Sequence, residues 1–289
     1  MTILAAALAL LAAVLLAIAS AAQQRAAASV PDDGGGGLRL MGVLLRNKLW
    51  WTGTLCDAGG FVCQAAALGV GSLLLVQPML VTTLLFALPL GARWAHRRLR
   101  RSDWVWAGLL AVALATFVIS GEPTAGIDRA PPERWLPAGL VLGTVFVVCL
   151  LAAATRRGTT RAVLLAVCVA LAYAVTDALT KGAVSQLDDG VYAMLRTWEL
   201  YGLAVASVAG TILQQQAFQA GNLGASLPTI TVGEPVIAVV LGVTVLQEHL
   251  RSDGAEWALI AVLVVVMVVA TVALARSAAR SPQAAPAAA

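Results

Sequence analysis

Apolar runs long enough to cross a bilayer follow one another along almost the whole chain, and that succession leaves few folds open. They are read at about 3–22, 50–68, 72–92, 104–121, 136–154, 162–183, 197–219, 225–247 and 256–275. In lipid a segment must satisfy its own backbone hydrogen bonds, so a chain of this pattern folds as a bundle of helices. Composition agrees, with 60% hydrophobic and 12% charged residues and a mean hydropathy of +0.86. Soluble domains carry about twice that share of charge. The expectation is an all-α polytopic membrane protein of about nine transmembrane helices, embedded in the lipid bilayer of the cell (inner or plasma) membrane.

The basic residues set the orientation. Fourteen Lys and Arg fall on the side that holds Arg93–Arg101 and Arg156–Arg161, against four on the other. The positive-inside rule then places the C-terminus in the cytoplasm and the N-terminus outside. The same rule accounts for the net charge of +4 without a nucleic-acid partner. All eight tryptophans lie at or near span ends, where an amphipathic ring prefers to sit. The first run lacks the basic residues that precede a signal peptide's apolar core, so it reads as an uncleaved helix. Cys56, Cys63, Cys149 and Cys168 lie in apolar runs without a CxxC pair and read as free thiols.

The chain also matches itself at a shift of 150 residues. Gly60 falls on Gly210, Gln64 on Gln214, Pro78 on Pro228, and Arg101-Ser102-Asp103 on Arg251-Ser252-Asp253. Five spans separate the copies, and five is odd, so the second copy enters from the opposite face. This is the inverted repeat expected of secondary transporters. The organisation that follows is a first helix (1–22), a polar linker (23–48) and a first repeat of three helices (49–121). A connecting segment with two helices (122–196), a second repeat (197–275) and a disordered tail (276–289) complete it.

Within the second repeat, the stretch Leu223–Leu250 carries Pro228, Glu234 and Pro235 inside an apolar run. Glu234 lies roughly 14 Å from the end of its span, about halfway through a hydrocarbon core of ~30 Å. An acid at that depth faces a partner or a water-filled path. Each proline removes a backbone donor, so Pro78, Pro228 and Pro235 are expected to break their helices. Other polar residues share helix faces. Asp57, Gly60 and Gln64 recur at i, i+3, i+7, and Tyr173, Asp177 and Lys181 at i, i+4, i+8. For Asp57 and Gln64 a transport role competes with an interhelical hydrogen bond. Asp177 and Lys181 can pair with each other, either as a fixed contact or as one that opens for substrate. Gln214 and Gln215 end the seventh span, where a functional role competes with snorkelling to the interface. Glu199 and Glu248, near the outer ends, are expected to be solvated; lining an outer vestibule is the alternative.

Several of these motifs resemble a known family. Trp50-Trp51-Thr52-Gly53, the run from Gln64 to Leu73 with Pro78 after it, Thr180-Lys181, Gln214-Gln215-Gln216-Ala217 and Gln247-Glu248-His249-Leu250 resemble the drug/metabolite transporter superfamily, EamA-type permeases in particular. The nine spans, outside N-terminus and double tryptophan are similar to the NIPA-type magnesium-transporter branch. The register sets Arg98 against Glu248, so a role carried over from the family's glutamate would apply to one half only. The resemblance implies an alternating-access permease.

Asp57 and Glu234 have no evident basic partner near mid-membrane, so their site favours a cation: a proton, a divalent metal or an amine. The expected partner is a small-molecule or cation substrate, and assembly as a homodimer is left open. A membrane enzyme is disfavoured: there is no HExxH or GxSxG pattern, and His96 and His249 sit at span ends. No cofactor is expected. A non-transporting scaffold or subunit is a further alternative, against which the repeat and the buried charges argue.

Overall fold

The computed structural model describes residues 2–28, 45–94, 99–121, 123–124, 126–220, 223–250 and 256–279. The helices are α1 (Thr2–Ala28), α2 (Lys48–Val70), α3 (Leu73–Leu80), α4 (Thr83–Trp94), α5 (Arg101–Gly121) and α6 (Pro132–Thr155). After them come α7 (Gly158–Val184), α8 (Val191–Leu195), α9 (Trp198–Ala220), α10 (Leu223–Thr244) and α11 (Glu256–Ala279). A 3-10 turn, Ser185–Asp189, leads from α7 to α8. Two short strands, β1 (Pro123–Thr124) and β2 (His249–Leu250), pair antiparallel.

Among the described residues eight stretches are long and apolar enough to cross a membrane, with α3 and α4 counted together as one. The 23-residue α9 is more polar, carrying Glu199 and its glutamines, but it is long enough to cross and packs along α7. The fold is thus an all-α, multi-pass membrane protein.

Two helices run past their expected ends. α1 continues to Ala28 and α11 to Ala279, so neither the linker nor the tail begins where the apolar run stops. Gln, Arg and Ala are good helix formers, and Arg25 and Arg276 in the last turns complement the helix dipole. The glycine-rich part of the linker, 29–44, and the rest of the tail, 280–289, lie outside the described residues.

The expected proline breaks divide in outcome. The third span does break, at Val81-Thr82, three residues beyond Pro78. Pro78 supplies no N–H, and Thr82 takes the Met79 carbonyl with both its amide (3.0 Å) and its hydroxyl (2.6 Å). In contrast, α10 runs unbroken through Pro228 and Pro235, which corrects the expectation of breaks there. Each proline costs that helix one donor, and the turns on either side carry it across the gap.

α7 is the centre of the bundle. Of its most apolar stretch 72% is buried, against 6% for α6, which lies at the periphery. α7 packs against α9 and α10, while α1 packs against α2, α3 and α4. Close approach in the two pairs uses glycines 150 residues apart. A Cβ on Gly60 of α2 would lie 2.8 Å from Leu16 of α1, and one on Gly210 of α9 would lie 2.7 Å from the Tyr173 ring of α7.

This packing makes a direct prediction. Gly210→Val should lower stability by about 1–3 kcal/mol through overpacking. Gly139→Val on α6, where a Cβ meets nothing within 4 Å, should not. Thermal unfolding of the detergent-solubilised protein, followed by size-exclusion chromatography, reads the difference.

Candidate functional site

Tyr173, Asp177 and Lys181 form one stripe on α7, as the i, i+4, i+8 spacing requires. Three of its immediate neighbours, Thr176, Thr180 and Ser185, turn their hydroxyls onto the backbone and add nothing to the stripe's charge. Each member of the stripe reaches a different helix or loop.

Asp177, 4% exposed, accepts hydrogen bonds on both oxygens. Gln64 of α2 donates to one at 2.8 Å, and Gln77 of α3 donates to the other at 2.6 Å. Both donors are themselves buried. An ionised carboxylate at this depth is tolerable only with such partners. Two amides supply dipoles but no countercharge.

Lys181 does not supply it either, which corrects the expected Asp177–Lys181 pair. Its ammonium donates to Glu248 at 2.7 Å, with 1% and 0% of the two side chains exposed. Asp128, 61% exposed, lies farther off at 3.8 Å. Glu248 also accepts from the backbone amides of Leu73 (2.8 Å) and Leu74 (3.0 Å), the first two residues of α3. Ser72 takes the next two amides through its hydroxyl (Leu75, 3.2 Å) and its carbonyl (Val76, 3.0 Å). The amides of the first three residues of α3 are therefore met before the helix's own bonds begin at Val76, two of them by an anion where the helix dipole favours one.

Glu248 reaches this position through a left-handed residue. After α10 ends at Thr244, Gln247 adopts φ 53° and the Glu248 amide returns to the Gly242 carbonyl at 2.9 Å. Gly242 must lack a side chain here, since a Cβ would lie 2.8 Å from both Glu248 and Leu74. The expectation that Glu248 and Glu199 are solvated is thereby corrected. Glu199, 2% exposed, pairs with Arg129 through two contacts of 2.6 and 3.1 Å. These bonds hold the loop guanidinium above its ordinary range and keep it charged.

Tyr173 donates to Gln214 of α9 at 3.1 Å and sits 3.4 Å from the Thr211 hydroxyl. Gln64 and Gln214, matched by the 150-residue shift, thus bond to α7 residues one turn apart. Glu234 on α10 is partly exposed and within electrostatic range of both Asp177 and Tyr173. Asp57 is exposed and also within range of Tyr173. No ion pair to Asp57, Asp177 or Glu234 forms among the described residues. Gln64 and Gln214 therefore meet α7 within one turn of each other, with Glu234 and Asp57 in electrostatic range, while Lys181 is engaged one turn away. Gln216 is exposed, and the side chain of Gln215 lies outside the described residues.

Sequence reasoning missed Gln77 and Arg129. A lone amide beside Pro78 in an otherwise apolar helix was the available signal for Gln77. Arg129 sits in a loop, where nothing marked it.

Comparison with known proteins adds one relative. An uncharacterized protein of Corynebacterium glutamicum is 36% identical over 219 residues, which is 75% of this chain and 76% of that protein. The chain belongs to that protein's family. No family profile and no solved structure matches it.

Two substitutions test the geometry. Gln77→Leu should cost about 1–3 kcal/mol by leaving one Asp177 oxygen unsatisfied, whereas Gln216→Leu should change little. Gln247→Gly should be neutral or raise stability by up to about 1 kcal/mol, because glycine enters the left-handed region freely, and Gln247→Val should lower it. Unfolding midpoints in detergent check both pairs.

Proposed function

We propose that this protein is a secondary transporter of the drug/metabolite superfamily type, an EamA-like permease that moves a small solute by alternating access with a proton or other cation coupled to it. The observation that carries the reading is the buried Asp177, held by two glutamines and within range of Glu234, while the only nearby lysine is engaged by Glu248. Carboxylates gathered at membrane depth without a countercharge attract a cation, and the least demanding cation is a proton. Glu234 is partly exposed and Asp57 exposed on helices beside the buried acid, so neither is sealed in the core with it.

The inverted repeat supports the same reading. α2 and α9 begin at Lys48 and Trp198, and α3 and α10 at Leu73 and Leu223, each pair 150 residues apart. Gly60 and Gly210 make equivalent close approaches to α1 and α7. On this basis each half comprises four spans, α1–α5 and α7–α11, with α6 between them, and the site lies where the halves meet. Rocking one half against the other would expose it to either side. The basic-residue count places the end that holds Glu248 outside the cell membrane, with the C-terminus in the cytoplasm. Glu234 and Asp177 bind the coupling ion in this scheme, Gln64 and Gln77 hold Asp177, and Tyr173 with Gln214 lines the path.

The experiment is flux in proteoliposomes carrying an internal pH dye and an internal magnesium dye. Proton movement on adding candidate amines, reduced about tenfold or more by Asp177→Asn or Glu234→Gln, is the expected result. Magnesium entry without proton movement would replace this reading with the NIPA-type one. Full flux in both variants would remove these acids from the site. Stable capture of a partner subunit with no flux under any gradient would favour the scaffold alternative.

A further inference from the structure

The contacts at the Glu248 end of the bundle join the two halves of the chain in a particular way. From the first half comes the α3 N-terminus, and from the loop that follows that half come residues 123–124 and 126–130. From the second come Lys181, Glu199, Leu246 and Glu248. β1 pairs with β2, placing Thr124 opposite His249, and the Thr124 hydroxyl donates to the His249 carbonyl at 2.9 Å. The Ile127 amide donates to the Leu246 carbonyl at 2.7 Å. Gly126 passes so close to Leu246 and Gln247 that a Cβ would collide with their backbone. Arg129 then pairs with Glu199. The segment is strapped across this end by backbone and charge together.

Beneath the strap lies the Lys181–Glu248 pair. Its closure is self-enforcing in physical terms. Moving Glu248 away would bare a lysine that is 1% exposed and two helix-terminal amides, three donors at once. A buried charge left alone in this way is strongly unfavourable. A second carboxylate stands ready within 4 Å, Asp128 of the strap, which is 61% exposed and 3.8 Å from the ammonium.

We propose that Glu248 and Lys181 form the latch of a gate at this end of the bundle, closed over the α3 N-terminus, with residues 123–124 and 126–130 as its strap. The gate opens when Glu248 leaves α3 and Lys181 turns to Asp128 at the water's edge. The strap then parts from Leu246 and the first half swings free of the second. The latch sits one turn of α7 from Asp177, so a change of charge or occupancy at Asp177 acts on the gate through the same helix. This rests on the transport reading, but it can be read without any substrate.

The test places a reporter cysteine at Leu74, which is 1% exposed beside the latch. The full-length Leu74→Cys protein in lipid nanodiscs is exposed to a water-soluble maleimide, and labelling is quantified on the peptide that contains residue 74. Slow labelling is expected, rising about tenfold or more in the Glu248→Gln background as the closed population falls. A second variant adds Thr124→Cys and His249→Cys, whose paired positions suit a disulfide once oxidised. Closing that disulfide should return labelling to the slow rate. An unchanged rate in Glu248→Gln overturns the latch. Fast labelling that the disulfide does not reverse also overturns it, because the pair then holds the fold rather than a gate. A disulfide that never forms contradicts the strap. Failure of the latch leaves proton flux and its dependence on Asp177 untouched, so the two readings fail separately.

Discussion

A carboxylate at the start of a broken helix organises this bundle. Glu248 satisfies two amides of α3 and the ammonium of Lys181 while being wholly buried. Helix α3 begins in the protein interior, where its first donors could not be left to water. The anion that serves them comes from the far half of the chain, and it needs a cation to be tolerable at that depth. Lys181 is that cation. Its commitment to Glu248 determines the electrostatics one turn lower on α7.

With Lys181 taken, Asp177 is held only by dipoles. Gln64 and Gln77 satisfy its lone pairs without cancelling its charge, and Glu234 adds a second acid within range. The same arrangement that stabilises one end of the bundle therefore leaves the acids in its middle without an ion pair among the described residues. A buried ion pair and a dipole-held acid are built from one helix by sending successive members of a single stripe to different partners.

Much of this was legible in the sequence. The succession of apolar runs gave the helical architecture, and the spacing of Tyr173, Asp177 and Lys181 placed them on one face. The partners were not legible. Spacing i, i+4 always brings two side chains within reach on a helix, so Asp177 and Lys181 looked like a pair. What separated them was a tertiary contact from 67 residues away, available only because Gln247 adopts a left-handed turn that sequence gives no reason to expect of glutamine. Glu199 was misplaced for a similar cause, since its partner Arg129 is brought to it by the strap. The prolines of α10 show the opposite case. Local chemistry pointed to a break, and the surrounding packing carried the helix through.

The proposed site depends on which of two acids Lys181 pairs with. A pair of double-mutant cycles on the stability of the full-length protein, Lys181→Met with Glu248→Gln and Lys181→Met with Asp177→Asn, measures that division directly. The structure predicts a coupling of about 0.5–3 kcal/mol for Lys181 with Glu248 and a smaller one for Lys181 with Asp177, which it does not touch. Stronger coupling of Lys181 to Asp177 than to Glu248 would mean that the central acid is neutralised after all, and the proposed cation site would lose its basis.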